Sequence, residues 1–87
     1  MAYRLEDTPA ARRDLQALPR DTLIRVEARI QALAENPRPR GVERVQGTAS
    51  GWRLRVGSYR ILYVVNDTRQ VVTIARVRHR RDVYRGL

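Results

Sequence analysis

The hydrophobic period of this 87-residue chain changes once, from about 3.6 to about 2, and that change constrains the fold more tightly than any other feature. In the first half, Ala11, Leu15 and Leu18 fall on one helical face, with Arg12, Arg13 and Asp14 largely off it. Thr8-Pro9 supplies a cap and a first-turn proline, and Pro19 ends the helix at Leu18. Asp21 caps a second helix with the stripe Leu23, Val26, Ile30 and Leu33, stopped by Asn36-Pro37-Arg38-Pro39-Arg40-Gly41. So short a link around Pro19 predicts an antiparallel pair of helices. In the second half, Trp52 to Val56 alternates strictly and Gly57-Ser58 is a two-residue turn with Gly first. Tyr59 to Val65 returns, Asn66 to Arg69 turns again, and Gln70 to Val77 is a further strand. A short strand, Tyr3 to Glu6, precedes the helices. The order β-α-α-β-β-β over residues 1–87 predicts one α+β domain: an antiparallel-rich sheet with an N-terminal helical hairpin packed on one face.

Composition narrows the function classes. A chain of this size has a thin core and little length to spare for loops. There is no Cys and one His, so disulfides and the usual zinc sites are excluded, and neither metal nor cofactor is expected. No apolar run approaches the roughly 20 residues of a membrane span, and Met1 to Asp7 has no apolar signal core. The expectation is a cytoplasmic protein without a membrane partner. All 18 basic residues are Arg, against 9 acidic ones, for a net charge of +9. A GC-rich genome accounts for Arg in place of Lys, but not for the excess of positive charge. That excess favours a polyanion, a nucleic acid first and an acidic protein second.

The two-residue hairpin fixes the register. Val56 faces Tyr59, Arg55 faces Arg60, Leu54 faces Ile61 and Arg53 faces Leu62. Arg53, Arg55 and Arg60 then share one sheet face, while Trp52, Leu54, Val56, Tyr59, Ile61 and Tyr63 take the face toward the helices. Like charges opposite each other destabilise a sheet; a sequence shaped for stability alone would place Thr or Glu opposite Arg55. Guanidiniums on a rigid sheet suit phosphate, because each presents a planar fork of donors. Leu62 and Val64, also on this face, are expected to be covered. The tail adds Arg78, His79, Arg80, Arg81 and Tyr84. His79 is a candidate acid–base group, as imidazole is the side-chain type that titrates near neutrality, and Tyr84 can stack on a base.

The string Trp52 to Tyr63, the tail Val77 to Arg85, and the stretches Ala10 to Leu18 and Leu33 to Pro37 resemble the RelE branch of the RelE/ParE toxin superfamily. The resemblance implies a RelE-like fold and the toxin of a type II toxin–antitoxin system. It implies a ribosome-dependent mRNA endoribonuclease, an mRNA interferase that blocks translation. In the family reaction, which needs no metal, the ribose 2′-oxygen attacks the adjacent phosphate and leaves a 2′,3′-cyclic phosphate and a 5′-hydroxyl. On this resemblance the catalytic set is Arg53, Arg55, Arg60, Arg80 and Tyr84, with Arg78, His79 and Arg81 binding RNA. The implied partners are the ribosome, mRNA and an acidic, RelB-like antitoxin in a hetero-oligomer. Better-known relatives carry Lys where this chain has Arg53 and Arg55, and Arg is a poor general base. The alternatives are a ParE-like toxin that binds and inhibits DNA gyrase without cutting RNA, and a plain RNA-binding domain.

Overall fold

The computed structural model describes residues 2–48 and 50–82; the expected role of Tyr84 lies outside them. The elements are β1 (Arg4–Asp7), α1 (Pro9–Gln16), α2 (Arg20–Ala32), β2 (Glu43–Arg44), β3 (Gly51–Val56), β4 (Tyr59–Asn66) and β5 (Val71–His79). They form a five-stranded sheet in the order β1-β5-β4-β3-β2. The β1–β5 pair is parallel and the others are antiparallel, so the expected α+β class holds. None of the helices is long and apolar enough to cross a membrane.

One core joins the layers. Ala11 of α1, Val26 and Ile30 of α2 and Leu33 just beyond it meet Leu54, Val56, Ile61, Tyr63, Val65, Val72, Ile74 and Val77. Val26, Ile30 and Leu33 of the expected stripe are thus buried, whereas Leu23 is half-buried and Thr22 beside it is buried instead. Burial pushes the Tyr63 phenol up to about 12, and its hydroxyl donates to the Pro37 carbonyl at 2.7 Å. Its polar tip is therefore satisfied inside the core.

Local differences from expectation have local causes. Thr8 caps α1, accepting from the Ala11 N–H at 3.0 Å, but the helix ends at Gln16 and not Leu18. Asp21 does not cap α2. Pro19 occupies the cap position with φ −56° and ψ 149° and no side-chain bond, so Asp21 falls inside the first turn, where a carboxylate still suits the helix dipole. The β3–β4 turn has positive φ at Gly57 and at no other residue of the turn, as a turn with Gly first requires. β2 was not expected; it is a two-residue edge strand pairing Glu43 with Arg53 and Arg44 with Trp52.

The largest difference is in β5, which runs to His79 and carries a bulge. Tyr63 pairs with Ile74, but Leu62 pairs with Arg76, so Ala75 is an extra residue. A bulge flips every later side chain to the other face. Val77, not Arg76, therefore enters the core, and Arg76 and Arg78 turn to the outer face. The bulge is tied to α1: the Thr8 hydroxyl donates to the Ala75 carbonyl at 2.8 Å, and the Thr8 N–H to the Ile74 carbonyl at 3.0 Å.

Candidate functional site

The hairpin register is the expected one: Arg53↔Leu62, Leu54↔Ile61, Arg55↔Arg60 and Val56↔Tyr59. The bulge extends it into β5, where Arg60 pairs with Arg78 and Leu62 with Arg76. Two rows of side chains thus cross the three central strands on the outer face, Arg53–Leu62–Arg76 and Arg55–Arg60–Arg78.

The first row is neutralised. Arg53 pairs with Glu43 at 3.4 Å and its side chain is 19% exposed. Arg76 pairs with Asp14 at 2.8 Å. Asp14 also accepts the Val77 N–H at 2.9 Å, closing the edge of β5 where β1 has ended. Burial alone would push the Asp14 carboxyl up. The bonds from Arg76 and the Val77 N–H, with the charges of Arg76 and Arg78, outweigh it and hold the group below the usual carboxylate range.

The second row forms no ion pair with a carboxylate among the described residues, although the charge of Arg78 reaches Asp14. The ion pairs of Arg4 with Glu6 and Arg38 with Asp67 also lie elsewhere. Three guanidiniums stand on adjacent strands roughly 4.8 Å apart. Arg60 is fixed, its Nη1 donating to the Gly57 carbonyl at 3.3 Å and the Tyr59 carbonyl at 3.1 Å. The Arg55 side chain is exposed and makes no hydrogen bond among the described residues. The row continues to Arg80, whose N–H donates to the Ser58 carbonyl at 2.7 Å, one step further along the β4–β5 ladder. Arg55, Arg60, Arg78 and Arg80 are therefore brought together around the hairpin end.

Arg53 and His79 stand apart from this group. His79 pairs with Tyr59, and the two rings meet edge-on at 5.3 Å. Alternation from Arg60 puts both on the face opposite the row. The His79 Nδ1 accepts the Arg81 N–H at 3.2 Å, and its carbonyl accepts the Asp82 N–H at 2.8 Å. His79 thus shapes the turn that presents Arg80 and Arg81. Val64 is not covered as expected, while Leu62 is half-buried. Both helices lie on the other face, and Val64 is 40% exposed.

Among the described residues, no three acidic or His side chains converge in a way that could hold a metal ion. A hollow of about 160 Å³ lies among β1, α1 and α2, lined by Leu5, Leu15 and Ile30 with Asp7, Glu27 and Gln31. No arginine of the row touches it, and its acidic rim is unsuited to a polyanion. Sequence reasoning missed Asp14 and Glu43, the two carboxylates that separate the rows. Their signal was present only as acidic residues in an otherwise basic chain.

The comparisons with known proteins agree on the family and the fold. The family model described as "ParE toxin of type II toxin-antitoxin system, parDE" matches residues 5–84. Toxin RelG of Mycobacterium tuberculosis is 38% identical over 86 residues, spanning 98% of this chain and 99% of that protein. Among solved structures, a chain of the toxin–antitoxin complex RelBE2 from Mycobacterium tuberculosis superposes with a TM-score of 0.76 at 32% identity, covering 91% of this chain and 99% of that one. A chain of the archaeal RelE–RelB complex from Pyrococcus horikoshii gives 0.81 at 30% identity, covering 92% and 97%. With the family model and these relatives all matching across nearly its whole length, the chain belongs to the RelE/ParE superfamily of type II toxin–antitoxin toxins.

Proposed function

We propose that this toxin is a ribosome-dependent endoribonuclease that cuts mRNA in the manner its resemblance to RelE implies. The observation that supports the reading best is the row Arg55–Arg60–Arg78, continued by Arg80. A sheet gains nothing in stability from three like charges side by side. A phosphodiester passing to a phosphorane gains negative charge, and preorganised guanidiniums stabilise that state more than the ground state. In the proposed step the 2′-oxygen forms a bond to phosphorus and loses its proton. The bond from phosphorus to the 5′-oxygen breaks, and that oxygen takes a proton. Arg60, held on the turn, and Arg55 and Arg80, exposed beside it, bind the non-bridging oxygens. Arg78 and Arg81 extend the track for RNA, and Arg53 borders it. Tyr84 supplies the aromatic platform for a base. His79, on the opposite face, acts by positioning the tail. The 2′-hydroxyl proton passes to water or to a ribosomal group, because guanidinium does not readily accept one.

The antitoxin partner belongs to the same reading. The relatives from Mycobacterium tuberculosis and Pyrococcus horikoshii are toxin–antitoxin complexes, and a net charge of +9 suits an acidic antitoxin in a hetero-oligomer. The ParE description of the matching family model favours one other reading, inhibition of DNA gyrase. The two separate in one experiment. Primer extension on messenger RNA from cells expressing the chain alone should give new 5′ ends within codons. Intact messenger with blocked supercoiling would replace the ribonuclease by the gyrase reading.

A further inference from the structure

We propose that Arg25 of α2 forms a second phosphate subsite at the tip of the β3–β4 hairpin, gripping an mRNA phosphodiester next to the scissile one. The inference rests on the ribonuclease reading and deepens it. Arg25 is the fourth residue after Asp21 on α2, and by helical spacing lies beside it and beside Arg29. Yet it pairs with no carboxylate among the described residues. Instead its guanidinium crosses from the helix layer to the turn. Its Nη2 and Nη1 lie 3.8 and 3.9 Å from the point a Cβ would occupy on Gly57.

That placement has two consequences. A guanidinium from the helix layer stands on one side of the turn, and the arginine row stands on the other. The turn lies two residues beyond Arg55–Arg60, roughly 7 Å along the strands, a distance suited to the next phosphate of an extended RNA. At the turn Ser58 is exposed and its carbonyl holds the Arg80 N–H, and no ion pair among the described residues involves a residue of the turn. The site therefore has guanidinium donors on two layers, which a single sheet face cannot offer to two successive phosphates.

The test is a cycle on ribosomes programmed with a messenger whose A-site 2′-hydroxyl is replaced by hydrogen, so that binding is read without cleavage. Single linkages next to the scissile phosphate are made neutral as methylphosphonates. Arg25→Gln should weaken binding roughly 10- to 150-fold, the usual range for a lost charge-assisted bond, and reduce the salt slope by about one. One neutral linkage should weaken the wild type by a similar factor and cost Arg25→Gln nothing further. Arg25→Lys should recover part of the loss, and Arg29→Gln, one turn along α2, should bind as wild type. Equal penalties for every neutral linkage in wild type and Arg25→Gln would overturn the subsite, even if Arg25→Gln binds ribosomes less well, since Arg25 would then touch ribosomal RNA. If Arg55→Gln is also without effect, the ribonuclease reading fails with it; if Arg55→Gln weakens binding and Arg25→Gln does not, only the subsite fails. A melting temperature within a degree or two of wild type excludes unfolding as the cause.

Discussion

Two rows of side chains lie two residues apart on the same sheet face, and they are built for different ends. In Arg53–Leu62–Arg76 the centre is apolar and each arginine meets a carboxylate, Glu43 at one side and Asp14 at the other. In Arg55–Arg60–Arg78 the centre is a third arginine, and none of them forms an ion pair with a carboxylate among the described residues. The strands, the face and the residue type are the same. Charge compensation is what differs, and it separates arginines that hold the fold from arginines kept available for an anion.

The comparison breaks most visibly at the reaction. Arg60→Gln should lower the single-turnover rate on programmed ribosomes by roughly 10²–10³-fold, the usual worth of one preorganised donor to a developing oxyanion, in a protein that still folds. Arg76→Gln should do the reverse, losing stability and little rate. Growth arrest on expression should follow the rate, and be lost in Arg60→Gln alone of the two.

Next in size is Asp14. Asp14→Ala leaves the Val77 N–H and the Arg76 guanidinium without an acceptor, which costs about 1–3 kcal/mol and lowers the melting temperature by roughly 5–20 °C in a domain of this size. The Asp14 carboxyl is held below its ordinary range in the fold, so its contribution is complete above about pH 4. It is lost as the pH falls through the folded value. Urea midpoints of wild type and Asp14→Asn should differ at pH 6 and converge toward pH 2.

The smallest effect has the most informative sign. Arg55→Thr removes a like charge opposite Arg60 and should raise stability, by roughly 0.2–1 kcal/mol, while lowering the cleavage rate. The urea midpoint at low salt reads it. A loss of stability would mean that Arg55 makes a structural contact and that the second row resembles the first.

Much of this was legible in the sequence. Strict alternation and a two-residue turn with Gly57 first leave one register for the hairpin, and Arg55 opposite Arg60 follows from it. Val26, Ile30 and Leu33 of the second helical stripe mark a buried face in the same way, though Leu23 does not. Arg78 was legible as part of a basic tail but not as the third member of a row. Its place depends on the extra residue at Ala75, and Val71 to Arg78 reads equally well in either phase until α1 fastens Thr8 to the Ala75 carbonyl. Asp14, Glu43 and Arg25 were illegible for a related reason. Asp14 and Arg25 act on elements distant in sequence, and no local period records a contact between layers; Glu43 lies on β2, an edge strand too short to show an alternation. His79 next to Arg80 in sequence suggested a shared site, whereas alternation in β5 sends neighbours to opposite faces.

The central claim is that the uncompensated row does the chemistry. It is tested most directly by end-group analysis of a messenger cut on programmed ribosomes by wild type, Arg60→Gln and Arg76→Gln. The account predicts 2′,3′-cyclic phosphate and 5′-hydroxyl ends from wild type and Arg76→Gln, with product from Arg60→Gln reduced at least about a hundredfold. Equal product from a folded Arg60→Gln would contradict it.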